Sequence, residues 1–328
     1  MKNIFLWILC LLSFACSQTA TENAIPNAKE NLRLALNWYA EPEHGGYLAA
    51  KADKIYEESG LNVTVIPGGP DVPIIQRIAS GDVDFGIANA DEVLLARAQK
   101  VPVVALMAPI QHTPLCIMVH ENSGISHLKD LKDVTLAITP TSPQALYLGK
   151  TLPLTDVTIV PYGGSIAPFL ANPKSAQQGY VFSEPFVARE KGSQVRCLMI
   201  SEIGYDPYTS LLIASEKTLK ERPELVQKMV HASRAGWQHY LVSPTSANKL
   251  ILALNPQMND KILEYSFNTL KPMVLDKNSP KNGIGTMTLK RWQTLLTQLV
   301  KLGLIMPDSL RAQDAFSTEF LKQRRPLI

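Results

Sequence analysis

Apolar side chains recur at two spacings along this chain, and the balance between them changes partway. Leu32, Leu34, Leu36 and Trp38 alternate with Arg33, Ala35 and Asn37, the period-two pattern of a strand. Leu48, Ala52, Ile55 and Tyr56 fall at helical intervals within 47–59, and Gly60 follows as a stop. A second strand is predicted at 61–66, closed by Pro67-Gly68-Gly69-Pro70. Ile74, Ile75 and Ile78 then mark one face of a helix over 71–80. Strands at 83–88 and 101–108 flank a helix at 91–99, and further strands follow at 115–119, 135–138, 157–160, 179–182, 195–200 and 210–214. Beyond them the pattern is helical throughout, at 224–242, 246–254, 260–270, 289–302 and 308–322.

Alternating β and α units predict an α/β protein with mostly parallel sheets covered on both faces, ending here in a helical block. Segments 111–119 and 205–214 are extended, each carries a proline, and together they bracket about ninety residues with βα units of their own. They read as paired crossovers between two lobes, the first discontinuous (32–112 plus 212–328) and the second continuous (113–211). A cleft between such lobes, at strand C-termini and helix N-termini, is where these architectures bind ligands.

The N-terminus changes the expected compartment. Lys2 precedes an apolar run from Ile4 to Leu12, the length of a secretory signal and too short to span a bilayer. Ser13 and Ala15 place small side chains before Cys16, so 1–15 reads as a signal peptide and 16–31 as a flexible tether. Leu12 to Cys16 also fits a relaxed lipobox, with Ser13 and Phe14 departing from it. We expect a lipid-anchored Cys16 in the periplasm or cell envelope, with plain cleavage as the alternative. Composition is ordinary for a globular chain (46% apolar, 19% charged, formal charge +3), so no basic tract points to nucleic acid. Cys116 and Cys197 either pair in that oxidising compartment or remain buried thiols.

The densest chemistry lies between the first strand and the first helix. Asn37-Trp38-Tyr39-Ala40-Glu41-Pro42-Glu43-His44-Gly45-Gly46-Tyr47 sets aromatics, carboxylates and an imidazole on one connection. Flat aromatic faces suit a planar heterocycle, and the two glycines admit a ligand or another backbone. Asn89, Asp91 and Glu92 open a later helix, with Asp91 expected as its cap. Thr139-Pro140-Thr141-Ser142-Pro143 opens another, either to receive an anionic or carbonyl group or simply to cap. Glu184-Pro185-Phe186 starts a third, where the carboxylate stabilises a helix dipole or meets a ligand donor.

Trp38 with His44, Gly46-Tyr47-Leu48-Ala49-Ala50, Gly60-Leu61-Asn62-Val63 and Gly81-Asp82-Val83-Asp84-Phe85-Gly86 follow in order. In that order they resemble the sulfonate, nitrate and thiamine-pyrimidine-precursor branch of ABC solute-binding proteins, which is also similar to fungal thiamine pyrimidine synthase. The resemblance implies a type II periplasmic-binding-protein fold, a small-molecule ligand, an ABC permease with its ATPase as partners, no cofactor and no catalytic or metal-binding residue. It points to Asn37, Trp38, Glu43, His44, Tyr47, Asn89, Asp91, Glu92, Thr141, Ser142, Tyr162, Glu184 and Tyr208 as ligand contacts. Of the ligands it allows, a thiamine pyrimidine precursor leads. Riboflavin-like, sulfonate and nitrate ligands stay open, although the carboxylate-rich loop disfavours a small anion. Synthase chemistry is disfavoured: where the resemblance calls for a Schiff-base lysine and a sacrificial histidine, this chain has Ala88 and Glu92, and it lacks the cysteine-rich iron motif. A periplasmic sensor subunit is the remaining alternative.

Overall fold

The computed structural model describes residues 30–275 and 283–322, so the signal segment, Cys16 and nearly all of the predicted tether lie outside the described residues. Ten strands form two five-stranded sheets. The first contains β1 (Glu30–Ala35), β2 (Leu61–Ile66), β3 (Phe85–Ala88), β4 (Val103–Met107) and β10 (Leu211–Ser215), in the order β2-β1-β3-β10-β4. The second contains β5 (Leu115–His120), β6 (Thr135–Ala137), β7 (Thr158–Val160), β8 (Ser175–Tyr180) and β9 (Val195–Met199), in the order β7-β6-β8-β5-β9.

The two orders match position for position, and each sheet holds one strand delivered from the other. β5 arrives after β4 and runs antiparallel to β8 and β9; β10 arrives after β9 and runs antiparallel to β3 and β4. The sheets are therefore mixed, not mostly parallel as the alternation predicted. A strand entering through a crossover needs no helix to return it to the same edge, so parallel pairing is not imposed on it. The two crossing segments touch, through an antiparallel bridge between Ile110 and Thr209. Asp206 binds across them, accepting from Thr113 N at 2.8 Å and meeting His112 Nδ1 at 2.8 Å. Arg291 completes this clamp by donating to the Asp206 carbonyl at 2.8 Å.

Helices cover the sheets: α1 (Gly45–Ala52), α2 (Ile55–Glu58), α3 (Ile74–Ser80) and α4 (Ala90–Ala98) precede the first crossover. Next come α5 (Pro143–Thr151), α6 (Ala167–Ala171) and α7 (Glu184–Glu190), and then α8 (Glu216–Glu221), α9 (Pro223–Val242), α10 (Thr245–Leu254), α11 (Asp260–Val274) and α12 (Leu289–Lys301). The helix predicted over 47–59 is broken between α1 and α2, where Lys54 takes a left-handed φ of 61°. The closest packing is between α1 and α9. A Cβ on Gly236 would meet the Gly46 carbonyl oxygen at 2.2 Å, and one on Gly46 would meet the Trp237 ring at 2.1 Å. Gly46 thus admits a neighbouring helix and not a ligand.

Two predicted elements differ. The strand expected at 179–182 ends instead at Tyr180, and Phe182 leaves the second sheet altogether. Its ring is fully buried with Trp237, Leu263 and Leu270 in the core against the first sheet, and its carbonyl accepts from Ser266 Oγ of α11. The helix predicted over 308–322 is absent: two 3-10 turns, Ala312–Ala315 and Glu319–Leu321, stand there. Between them Phe316 bridges to Ala105 beside the first sheet and stacks on Trp292 with ring centroids 5.2 Å apart. Tertiary packing overrides the helical spacing of that stretch. Cys116 and Cys197, on neighbouring β5 and β9, are joined in a disulfide. Among the described residues no helix is long and apolar enough to cross a membrane.

Candidate functional site

A cavity of about 630 Å³ lies between the two sheets, within the size range of small-molecule sites. The first sheet's side supplies the connection after β1 (Asn37, Trp38, Glu41, Glu43) and the start of α4 (Asn89, Glu92). The second supplies Tyr162, Gln178, Tyr180 and Glu184. Strand-to-helix junctions put these groups there: β1, β3 and β8 all end at this opening, and the helices that follow turn away from it. A second, shallower depression of about 540 Å³ between α5 and α12 is broadly open and lined by Lys150, Lys290 and Lys301; it encloses nothing.

Five carboxylates line the cavity, Glu41, Glu43, Glu92 and Glu184 inside it and Asp71 at its rim, and among the described residues no lysine, arginine or histidine lines it. Three of them are held by neutral donors. Glu43 accepts from Ser210 Oγ at 3.2 Å, and Glu92 accepts from the Asn89 backbone N–H at 2.6 Å. Glu184 accepts from the Tyr180 N–H at 2.7 Å and from Tyr162 Oη at 3.2 Å. Burial, then repulsion from Glu184 and Glu92, pushes Glu43 up to about 7, with the Ser210 bond opposing it. Burial and Asp91 push Glu92 up to about 7. Glu92 is open to the solvent inside the cavity, so its shift holds only while that space stays enclosed. Burial also raises Glu41 well above the usual carboxylate range, with Glu43 and Glu184 adding to it, and it raises Glu184 against the opposing Tyr180 bond. Despite this crowding, no three His, Cys, Asp or Glu groups among the described residues are placed to hold a metal ion.

Such a site offers aromatic faces and many acceptors. Trp38 and Tyr39 meet edge to face at 5.4 Å, which steadies the Trp38 ring at the cavity wall. Behind the wall, His44 Nε2 is 3.0 Å from Asn37 Oδ1. An amide oxygen only accepts, so Nε2 carries the proton and Nδ1 accepts from the Glu41 N–H at 3.4 Å. Burial lowers His44 to about 3, so the ring stays neutral and fixes the orientation of Asn37.

The pattern shared by the family described as NMT1/THI5 like matches residues 41–247. This chain belongs to that family. Among similar members, the riboflavin-binding protein RibY of Chloroflexus aurantiacus is 25% identical over 96% of this chain and 95% of its own length. The formylaminopyrimidine-binding protein of Halalkalibacterium halodurans is 23% identical over 95% of this chain and 96% of its own. Other NMT1/THI5-like relatives are named 4-amino-5-hydroxymethyl-2-methylpyrimidine phosphate synthase; that of Legionella pneumophila is 22% identical over 81% of this chain and 89% of its own. The solved periplasmic aliphatic sulphonate binding protein SsuA of Escherichia coli superposes with a TM-score of 0.66 at 14% identity, covering 90% of this chain and 95% of that one. The fold is that of periplasmic binding proteins.

Of the ligand contacts expected in this NMT1/THI5-like chain, Asn37, Trp38, Glu43, Asn89, Glu92, Tyr162 and Glu184 line the cavity. His44, Tyr47, Asp91, Thr141, Ser142 and Tyr208 do not. Tyr47 is buried inside α1's packing and donates to the Ser210 carbonyl at 2.9 Å. Asp91 is buried and accepts from Tyr205 Oη at 2.7 Å, so it is not the cap of α4: Asn89 is, with Glu92 closing the turn. Ser142 caps α5 by accepting from Ala145 N, and Thr141 is exposed beside it. Tyr208 belongs to the crossover, under the Arg291 guanidinium at 3.9 Å. Sequence reasoning left Glu41, Thr139, Gln178 and Tyr180 unassigned. Glu41 sat in the recognised connection, Thr139 in the recognised segment 139–143 and Tyr180 in the strand expected at 179–182, while the polar Gln177-Gln178 gave no signal to extend that strand over Gln178.

Proposed function

We propose that this protein is the extracytoplasmic solute-binding component of an ABC importer. Its lobes, 32–112 with 212–328 and 113–211, close over a small planar heterocycle, for which a thiamine pyrimidine precursor is the leading class. The observation that carries this reading is one cavity lined from both sheets by Trp38, two phenols and five carboxylates. A ring stacked on Trp38 presents its edge N–H groups to Glu184 and Glu43. Similarity to proteins named for riboflavin and formylaminopyrimidine binding supports a heterocycle, and the lack of a cationic side chain among the described residues of the lining counts against sulfonate and nitrate.

The synthase reading is disfavoured on chemistry. A Schiff base to an aldehyde cofactor needs a lysine, and Ala88 and Glu92 occupy the wall positions where the resemblance calls for lysine and histidine. Those residues do not fit the cofactor, and no step is drawn through it. Acylation of Cys16 would hold the protein at the envelope beside a permease. Mass spectrometry of ligand retained through native purification tests the function: a planar amino-heterocycle is expected. Recovery of only sulfonates or nitrate would refute it.

A further inference from the structure

The charge of the cavity narrows its ligand further than its shape does. Glu41, Glu43 and Glu92 approach from the first sheet and Glu184 from the second, and every donor already bound to them is neutral. Among the described residues, the other titratable groups around them bring no positive charge. Tyr162 and Tyr180 are neutral phenols in the wall, and Asp71 lies at the rim. Asp91 behind the wall is taken by Tyr205, while His44, whose Nε2 lies 3.6 Å from Glu43 Oε1, is held neutral by burial with its ring N–H directed to Asn37. Arg291 of α12, against the second crossover, is committed to Asp206 and the Tyr208 ring.

An anion entering this space would meet four acceptors of like charge with no counter-ion. A neutral ring would leave those carboxylates either repelling one another or protonated. A cation relieves both. We propose that the cavity takes its ligand as a cation, a planar nitrogen base carrying a protonated amine or ring nitrogen, and rejects the phosphorylated form of the same base. This rests on the solute-binding reading above and specifies its ligand.

Cation binding also carries a definite sign with pH. The entering positive charge favours the ionised carboxylates, so a proton still held by buried Glu43, near 7 in the free protein, is released on binding. For a ligand whose amine stays protonated through pH 8, affinity then rises with pH, by up to about tenfold between pH 6 and 8 for that carboxylate.

Isothermal titration calorimetry at pH 6, 7 and 8, in two buffers of different ionisation heat, tests this with three probes. They are 4-amino-5-aminomethyl-2-methylpyrimidine, its 5-hydroxymethyl analogue and the phosphate ester of that analogue. The aminomethyl compound is expected to bind at least tenfold more tightly than the hydroxymethyl one, to release protons and to bind more tightly as pH rises; the ester is expected not to bind. Glu184→Gln keeps an acceptor for the Tyr180 N–H. It is expected to weaken the aminomethyl compound about 10- to 100-fold, the range for a hydrogen bond to a charged group, and the hydroxymethyl compound less than about threefold. Equal or tighter binding of the hydroxymethyl compound or the ester, or binding without proton release, overturns the proposal but leaves the solute-binding reading standing. Binding of none of the three overturns the pyrimidine reading along with it.

Discussion

Glu43→Gln isolates what it costs this fold to hold a carboxylate in its interior. Glu43 is 2% exposed, and burial raises its pKa to about 7 from the ordinary 4.5 of a glutamate. Below pH 4.5 the folded and unfolded chains both carry the proton, and no penalty exists. As pH rises through 7 the unfolded chain has already released its proton, so the stability contributed by the neutral acid is lost. The gap of roughly 2.5 pH units, at about 1.4 kcal/mol each, sets a ceiling of about 3 kcal/mol, nearly all of it reached by pH 8. Glutamine has nearly the same volume, still accepts from Ser210 Oγ and does not titrate. Urea unfolding of the ligand-free protein, followed by tryptophan fluorescence, should find variant and parent within about 1 kcal/mol at pH 5 and the variant about 3 kcal/mol more stable at pH 8. A difference that stays constant from pH 5 to 8 would refute the assignment of a raised pKa to Glu43.

Three further outcomes are expected. Gly236→Ala drives a Cβ into the Gly46 carbonyl oxygen and the Ala50 backbone nitrogen, neither of which can rotate away. It should cost about 3 kcal/mol in chemical denaturation, and a loss under about 0.5 kcal/mol would contradict the α1–α9 contact. The Cys116–Cys197 disulfide closes a loop with a sequence separation of 81. The chain-entropy argument gives about 4 kcal/mol for it, so dithiothreitol should lower the urea midpoint clearly, and an unchanged midpoint would count against the crosslink. Trp38→Ala should weaken binding of whichever heterocycle is retained by about tenfold with little change in thermal stability, since Trp38 lies at the cavity wall and outside the core. A large drop in Tm with unchanged affinity would make Trp38 a packing residue instead.

Much of the fold was legible because each strand buried on both faces is a short apolar run, as in Val103–Met107 and Leu211–Ser215. β8 was misread because its interior is polar. Ser175 donates to the Phe169 and Asn172 carbonyls and Gln178 accepts from Thr139 N, satisfactions that no local pattern announces. The direction of β5 and β10 was equally hidden, since spacing along the chain does not say from which end a crossover strand enters its sheet. At the site, residue type brought Trp38 and Glu184 into consideration, but direction decided the rest. Glu43 reaches the cavity while the adjacent His44 turns behind it. Glu92 faces the cavity while Asp91, one helical step away, reaches Tyr205.

Phe182 gives the molecule a kinetic character beyond its equilibrium affinity. It stands two residues before Glu184 on the second sheet's side, yet its ring is embedded against the first sheet under α11. Any motion that separates the sheets along this edge must withdraw that ring into water, at about 1.5–3 kcal/mol. Wide opening is then disfavoured by a factor of about 10 to 150, whatever occupies the cavity. Ligands of quite different affinity would meet the same ceiling on their entry rate, one set by an anchor in the protein rather than by the molecule carried. Phe182→Ala would lift that ceiling for all of them together.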